Sequence, residues 1–164
     1  MKTGRPIDSL VNERAARVLA ALVLTTIAAA WFTDAGWALA WLAAGFIVRA
    51  AWGPRFSVYA RLASAVATRF WTVRPIAGAP KRFAQGIGAV CLSLSSVLLL
   101  TGHSGLAWLV AAVVALFAGL EAAFGLCVGC RIHGHLAARG LVPPEVCIDC
   151  APRLGRRLTR AEPE

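Results

Sequence analysis

The chain has little of what most enzyme sites are built from. It contains no Gly-rich phosphate-cradling loop, no Ser/His/Asp set and no paired carboxylates of the hydrolase kind, so phosphate-loop chemistry, triad hydrolysis and acid/base glycoside cleavage lack their residues. Acid is scarce as well: eight Asp and Glu stand against seventeen Lys and Arg, a formal net charge of +9. Such a balance raises nucleic acid as a partner. No aromatic-studded basic module accompanies the charge, however, and the cations are spread as membrane topology demands, so anionic lipid headgroups are the simpler partner and nucleic acid is not expected.

Apolar surface is what the chain has in excess. At 59% hydrophobic residues and a mean hydropathy of +0.68, 164 residues carry more of it than one small soluble core hides. Four apolar runs, about 16–32, 37–52, 86–101 and 106–126, approach the roughly 20 residues that cross a hydrocarbon core. Only helices satisfy their own backbone there in open segments, so four transmembrane helices are expected. Gly and Ala are abundant in all four and allow close helix approach.

The cations orient the spans. Lys2, Arg5, Arg14 and Arg17 come before or at the start of span one; Arg49, Arg55, Arg61, Arg69, Arg74, Lys81 and Arg82 lie between the end of span two and span three; six more follow span four. The short turns 33–36 and 102–105 hold none. The positive-inside rule then predicts two in-out-in hairpins, with both termini and the middle segment in the cytoplasm. Trp31, Trp37 and Trp108 flank the outer turns, and Trp52 and Trp71 sit on the basic side, as interface-seeking indoles should. Ala28-Ala29-Ala30 resembles a signal-peptide cleavage site, but the long, mixed-charge region before it and the second span just after it argue for an uncleaved helix.

Between the hairpins, residues 56–71 set Ser57, Arg61, Ser64 and Thr68 on one helical face and Tyr59, Leu62, Val66 and Phe70 on the opposite one. This predicts an amphipathic helix in the cytoplasmic interface that covers the bundle ends and contacts lipid. Arg74-Pro75 and Gly78-Ala79-Pro80 are expected to break it. The hairpins resemble a parallel repeat, each entering from a basic stretch, turning at Gly beside an outer Trp and returning to Arg. Most two-hairpin chains would show as much, and no function follows from it.

Two ionisable residues fall within the apolar runs. Arg49 and Glu121 are both placed near the cytoplasmic side by the helical rise and are expected to meet, either as a functional pair or as a structural ion pair. Cys91, about two turns into span three, reaches a similar depth; a lone Cys there is most often a small apolar residue.

The strongest motif is Cys127-Val-Gly-Cys130 followed, sixteen residues later, by Cys147-Ile-Asp-Cys150. That separation suits a four-thiolate zinc site made of Cys127, Cys130, Cys147 and Cys150, with His133 and His135 between the pairs as substitute ligands. The same thiols suit a reversible dithiol or a persulfide carrier. A reducing cytoplasm argues against a permanent disulfide. Cys127 and Cys130 are expected at the carboxyl end of span four, where the helix dipole disfavours a thiolate. Pro143-Pro144-Glu145 reads as a helix start that puts Cys147 in a favourable first turn, so a nucleophile is expected at Cys147 or Cys150.

Gly53-Pro54-Arg55 with Ser57, Arg74-Pro75, Pro80-Lys81-Arg82-Phe83-Ala84-Gln85-Gly86, Ala122-Ala123-Phe124-Gly125-Leu126-Cys127-Val128-Gly129-Cys130 and Pro144-Glu145-Val146-Cys147-Ile148-Asp149-Cys150 are together similar to a bacterial, mainly actinobacterial, four-helix membrane family catalogued as domain of unknown function 4395. The likeness extends over about residues 10–153. It implies a place in the bacterial cytoplasmic membrane and a gene-neighbourhood association with thioredoxin-like and sulfurtransferase-like proteins, hence thiol or sulfane-sulfur handling. The chain thus reads as all-α: a four-helix membrane bundle over 1–130, a cytoplasmic cysteine segment over 127–153 and a basic, disordered tail over 154–164. Three functions fit it. They are a membrane-anchored thiol or sulfur relay serving a soluble partner, a zinc-stabilised scaffold without catalysis, and a small transporter using Glu121, Arg49 and Cys91, which would need to form a homo-oligomer to make a path.

Overall fold

The computed structural model of the protein describes residues 10–73 and 75–141. The second cysteine pair, the helix start at Pro143 and the 154–164 tail fall outside those residues. Among the described residues are six α-helices: α1 (Glu13–Phe32), α2 (Trp37–Trp52), α3 (Val58–Phe70), α4 (Gly78–Leu100), α5 (Ser104–Phe124) and α6 (Val128–Ala138). Two three-residue strands, β1 (Leu10–Asn12) and β2 (Pro75–Ala77), pair antiparallel with Val11 opposite Ile76, a small departure from the all-α expectation.

The protein is helical and multi-spanning. α1, the Pro80–Leu100 part of α4, and α5 are long and apolar enough to cross a membrane. α2 has 16 residues and rises about 24 Å, short of a hydrocarbon core of about 30 Å. Val23 and Ile27 of α1, Leu39, Leu42 and Phe46 of α2, Leu92 of α4 and Val114 of α5 form the core. Large apolar side chains also face outward, Val90 at 68% exposure and Leu116 at 61% among them, which lipid tolerates and water does not.

Helix starts differ from the apolar runs for a physical reason. An apolar window finds the stretch that sits in hydrocarbon, whereas the first helical turn lies at the interface and can hold charge. α1 therefore begins at Glu13, with the Asn12 side chain accepting from the Arg14 N–H at 3.1 Å, and α4 begins at Gly78 rather than residue 86. Gly78-Ala79-Pro80, which lies beyond the end of α3 as expected, also starts α4, because a first-turn proline gives up no intrahelical hydrogen bond. α3 is shorter than the expected 56–71 and packs against α1, burying Ala60, Ala63 and Ala67, while the Tyr59 hydroxyl hydrogen-bonds Thr26 at 3.1 Å. Leu62 and Phe70 are exposed. The buried face is the alanine stripe, since small residues let the two backbones close up.

The repeat suggested by the sequence acquires geometry here. Each half runs strand, long helix, tight turn, second helix, positive-φ glycine and a third helix that packs on the first helix of its own half: α3 on α1, α6 on α4. The long helices pair across the halves, α1 with α5 and α4 with α2. Arg17 near the start of α1 donates to the carbonyls of Ala122 and Ala123 at the end of α5, the shortest bond 2.7 Å. Arg82 near the start of α4 does the same to Ala50 and Ala51 at the end of α2, again with a shortest bond of 2.7 Å. Both bonds satisfy carbonyls that a helix end leaves without intrahelical partners. At the other end of the molecule Trp31 and Trp108 meet edge to face, ring centroids 5.1 Å apart.

Candidate dithiol site

α5 stops at Phe124 because Gly125 takes a left-handed conformation, φ +70°, and its N–H closes on the Glu121 carbonyl at 2.9 Å. The α5 helix is interrupted over Gly125 and Leu126, and α6 starts at once with extended Cys127 as its N-cap. Cys130 then lies in the first turn of α6. The expectation that this pair sits at the carboxyl end of a helix is corrected: two residues separate it from that end, and it belongs to the amino end of the next helix. The dipole therefore favours a thiolate here instead of opposing it.

The glycine between the cysteines seats the site. Gly129 lies so close to α4 that a Cβ on it would fall 2.5 Å from the Ala84 Cβ and 2.7 Å from its Cα. One turn on, buried His133 packs edge to face on Phe83, centroids 5.5 Å apart. The α6 amino end is thereby pressed against the first turns of α4, where Lys81 forms an ion pair with Glu121 of α5. Both cysteines are free thiols and buried, Cys127 at 5% exposure and Cys130 at 2%. Cys127 reaches a mostly apolar cavity of about 110 Å³ between α1, α4, α5 and α6, which Glu121 and Gln85 also line.

The Cys127 thiol is held below the ordinary thiol range. The hydrogen bond from Cys130 is the largest cause; burial and the Glu121 carboxylate oppose it, and the Lys81 ammonium supports it. A lowered thiol with a resolving thiol three residues on, at a helix amino end and near a lysine, is an arrangement suited to thiol exchange.

Glu121 and Arg49 do not pair. Lys81 takes Glu121, because α4 begins early enough to carry Lys81 up to the level at which α5 ends. Arg49 turns to neutral groups: its Nε donates to Gln85 at 2.8 Å, its Nη1 to Ser57 at 3.0 Å, and its guanidinium lies 4.4 Å from the Phe46 ring centroid. Lys81, Gln85, Ser57 and Gly129 were missed as site residues. Lys81 and Gln85 are one turn apart on one helical face, a signal visible once the helix start is placed at Gly78.

Cys91 packs on the apolar core about 15 Å along α4 from Lys81 and takes no part in the site. His135 is exposed on α6. Among the described residues no three His, Cys, Asp or Glu gather as a metal site. Cys147 and Cys150 lie outside the described residues. No curated protein and no solved structure matches the chain. The family described as Domain of unknown function (DUF4395) matches residues 11–138, from β1 to the end of α6, and the chain belongs to it.

Proposed function

We propose that the protein is a membrane-anchored dithiol carrier for sulfane sulfur, with Cys127 as nucleophile and Cys130 as resolving thiol. The observation that carries this reading is the position of Cys127: N-cap of α6, hydrogen-bonded by Cys130 and beside the Lys81–Glu121 pair. In this reading α2 spans with the three longer helices, both termini and the two third helices are cytoplasmic, and the dithiol is open to cytoplasmic reductants. The clustering of all seventeen Lys and Arg toward that side supports the orientation.

The chemistry is a short exchange. The Cys127 thiolate attacks the outer sulfur of a persulfide donor; the donor S–S bond breaks, its thiolate leaves and takes a proton, and Cys127 holds the sulfur as a persulfide. Attack by the Cys130 thiolate on the inner sulfur of that persulfide forms the Cys127–Cys130 disulfide and expels hydrosulfide. Two electrons from two small-molecule thiols, which leave as their disulfide, restore the pair. Burial of both sulfurs against a cavity of about 110 Å³ favours a small sulfur donor over the disulfide of a folded protein as first reactant.

A zinc-holding scaffold is the second reading, favoured by the direct contact of the Cys127 and Cys130 thiols, which supplies half of a four-thiolate set. One experiment separates the two. Protein purified without chelator is assayed for zinc and free thiols, then treated with a persulfide donor and examined by intact-mass spectrometry. The carrier reading expects metal-free protein that gains one sulfur, no gain in Cys127→Ser and a trapped persulfide in Cys130→Ser. One zinc per chain with four protected thiols would replace it by the scaffold.

A further inference from the structure

We propose that the cavity between α1, α3 and α4 binds one tetrahedral oxyanion of the phosphate or sulfate kind through Arg49. Arg49 is buried, at 3% exposure, and its Nη2 has no hydrogen-bond partner, the one buried side-chain nitrogen or oxygen so placed among the described residues. Its other contacts, Gln85, Ser57 and the Phe46 ring, are all neutral, and among the described residues no carboxylate pairs with it. A buried guanidinium with an idle N–H₂ and no counter-charge is a costly arrangement unless an anion completes it.

The space beside Arg49 is made for one. A cavity of about 170 Å³ is lined by Arg49, Lys81 and Arg82, with Asn12, Ser64 and Gln85 as polar neighbours and, among the described residues, no carboxylate in its wall. Lys81 is already offset by Glu121, and Arg82 directs its guanidinium at the Ala50 and Ala51 carbonyls. Among the described residues Arg49 is thus the cation left for a ligand. The volume is below the roughly 300–1,000 Å³ of sites for drug-sized molecules, so a nucleotide or cofactor does not fit and a single compact anion does. A guanidinium recognises such an oxyanion through directed N–H bonds, which an ammonium cannot reproduce. The cavity lies level with β1 and the first turns of α1 and α4, at the membrane interface, so the oxyanion is either free or the phosphate of a lipid headgroup.

The test uses full-length protein in neutral detergent. Inorganic phosphate and sulfate are titrated calorimetrically, and in parallel the protein is reconstituted in nanodiscs with or without phosphatidylglycerol and the lipid retained on re-extraction is counted. Saturable binding of the inorganic anions identifies a free oxyanion, and retention of phosphatidylglycerol over phosphatidylcholine identifies a headgroup. Ser64→Glu adds a carboxylate to the cavity wall from an exposed position on α3, so it should weaken either form of binding at least about tenfold with the melting curve unchanged. Arg49→Lys keeps the charge, loses the fork and should weaken it similarly. No binding of anion or anionic lipid by wild type, or unchanged binding by Ser64→Glu, would overturn the assignment.

Discussion

The two halves of the molecule share a frame and differ in what they place on it. Ala50, Ala51 and Gly53 at the end of α2 correspond, at one constant spacing, to Ala122, Ala123 and Gly125 at the end of α5. Each alanine pair is capped by an arginine from the other half, and each glycine has positive φ. One residue before the capped pair, however, the first half has Arg49 and the second Glu121. Beyond the glycine, the first half makes a 3-10 turn at Pro54–Phe56 and the second leads to Cys127. The first helices diverge likewise: Ala16 and Ala20 stand in α1 where Lys81 and Gln85 stand in α4, and both cavities open against Ala16. Caps and turns hold the repeat together, while a few unequal positions give one half a dithiol and each half a charge, buried at Arg49 and half-buried at Glu121, served by α4.

The comparison can be broken most strongly at its charges. Glu121→Gln leaves the Lys81 ammonium without its partner and should cost about 3–5 kcal/mol, read from denaturant melting in detergent, whereas Arg49→Met leaves only neutral partners unsatisfied and should cost roughly 1–3 kcal/mol. Equal stability of Glu121→Gln and wild type would mean that the pair is not held in a dry environment. Gly129→Ala should follow at about 1–3 kcal/mol, because its Cβ meets the α4 backbone, and it should speed Cys127 alkylation as α6 lifts away. An unchanged melting midpoint there would remove the seat from the argument.

Smaller effects sharpen the symmetry. Arg17→Gln and Arg82→Gln should each cost about 1 kcal/mol, and the double variant should show their sum within roughly 0.5 kcal/mol if the two caps act independently. A large coupling would mean that the halves tighten one another. Least in energy is the titration of Cys127. Alkylation rate against pH should reach half its maximum below the ordinary thiol pKa of about 8.5, and Lys81→Met should move that point upward. Because the folded-state value is the lower one, this thiol's contribution to stability is present above the ordinary thiol pKa and is lost as pH falls through its own. A midpoint at or above about 8.5 would contradict the site's electrostatics.

Much of the frame was legible in the sequence, because apolar length and the Gly-marked turns depend on near neighbours. The α2 limits, 37–52, agree with the expected run, and the first cysteine pair was singled out from its spacing. Partner choice was harder to read. Arg49 and Glu121 looked matched by depth alone, but which cation reaches Glu121 depends on where α4 begins, and a run of glycine, proline and cations hides that start. The dithiol's electrostatics turned on an interruption of only two residues at Gly125 and Leu126, too short to register as a helix boundary inside an apolar stretch. The alanine stripe that α3 buries was not legible either, because packing on α1 selected the smallest side chains and left Leu62 and Phe70 exposed.

The exchange of arginine caps also bears on biosynthesis. As the chain leaves the ribosome, α2 is complete before Arg82 exists, and β1 has no strand beside it until residues 75–77 are made. Arg17, in turn, waits at the membrane edge through more than a hundred residues for the end of α5. Neither half satisfies the last alanine carbonyls of its own second helix, so the inserted first half is an open form that the second half locks. An interrupted translation product would therefore display bare carbonyls and a lone strand edge at the interface, the kind of unfinished surface by which a membrane quality-control protease could tell it from the finished protein.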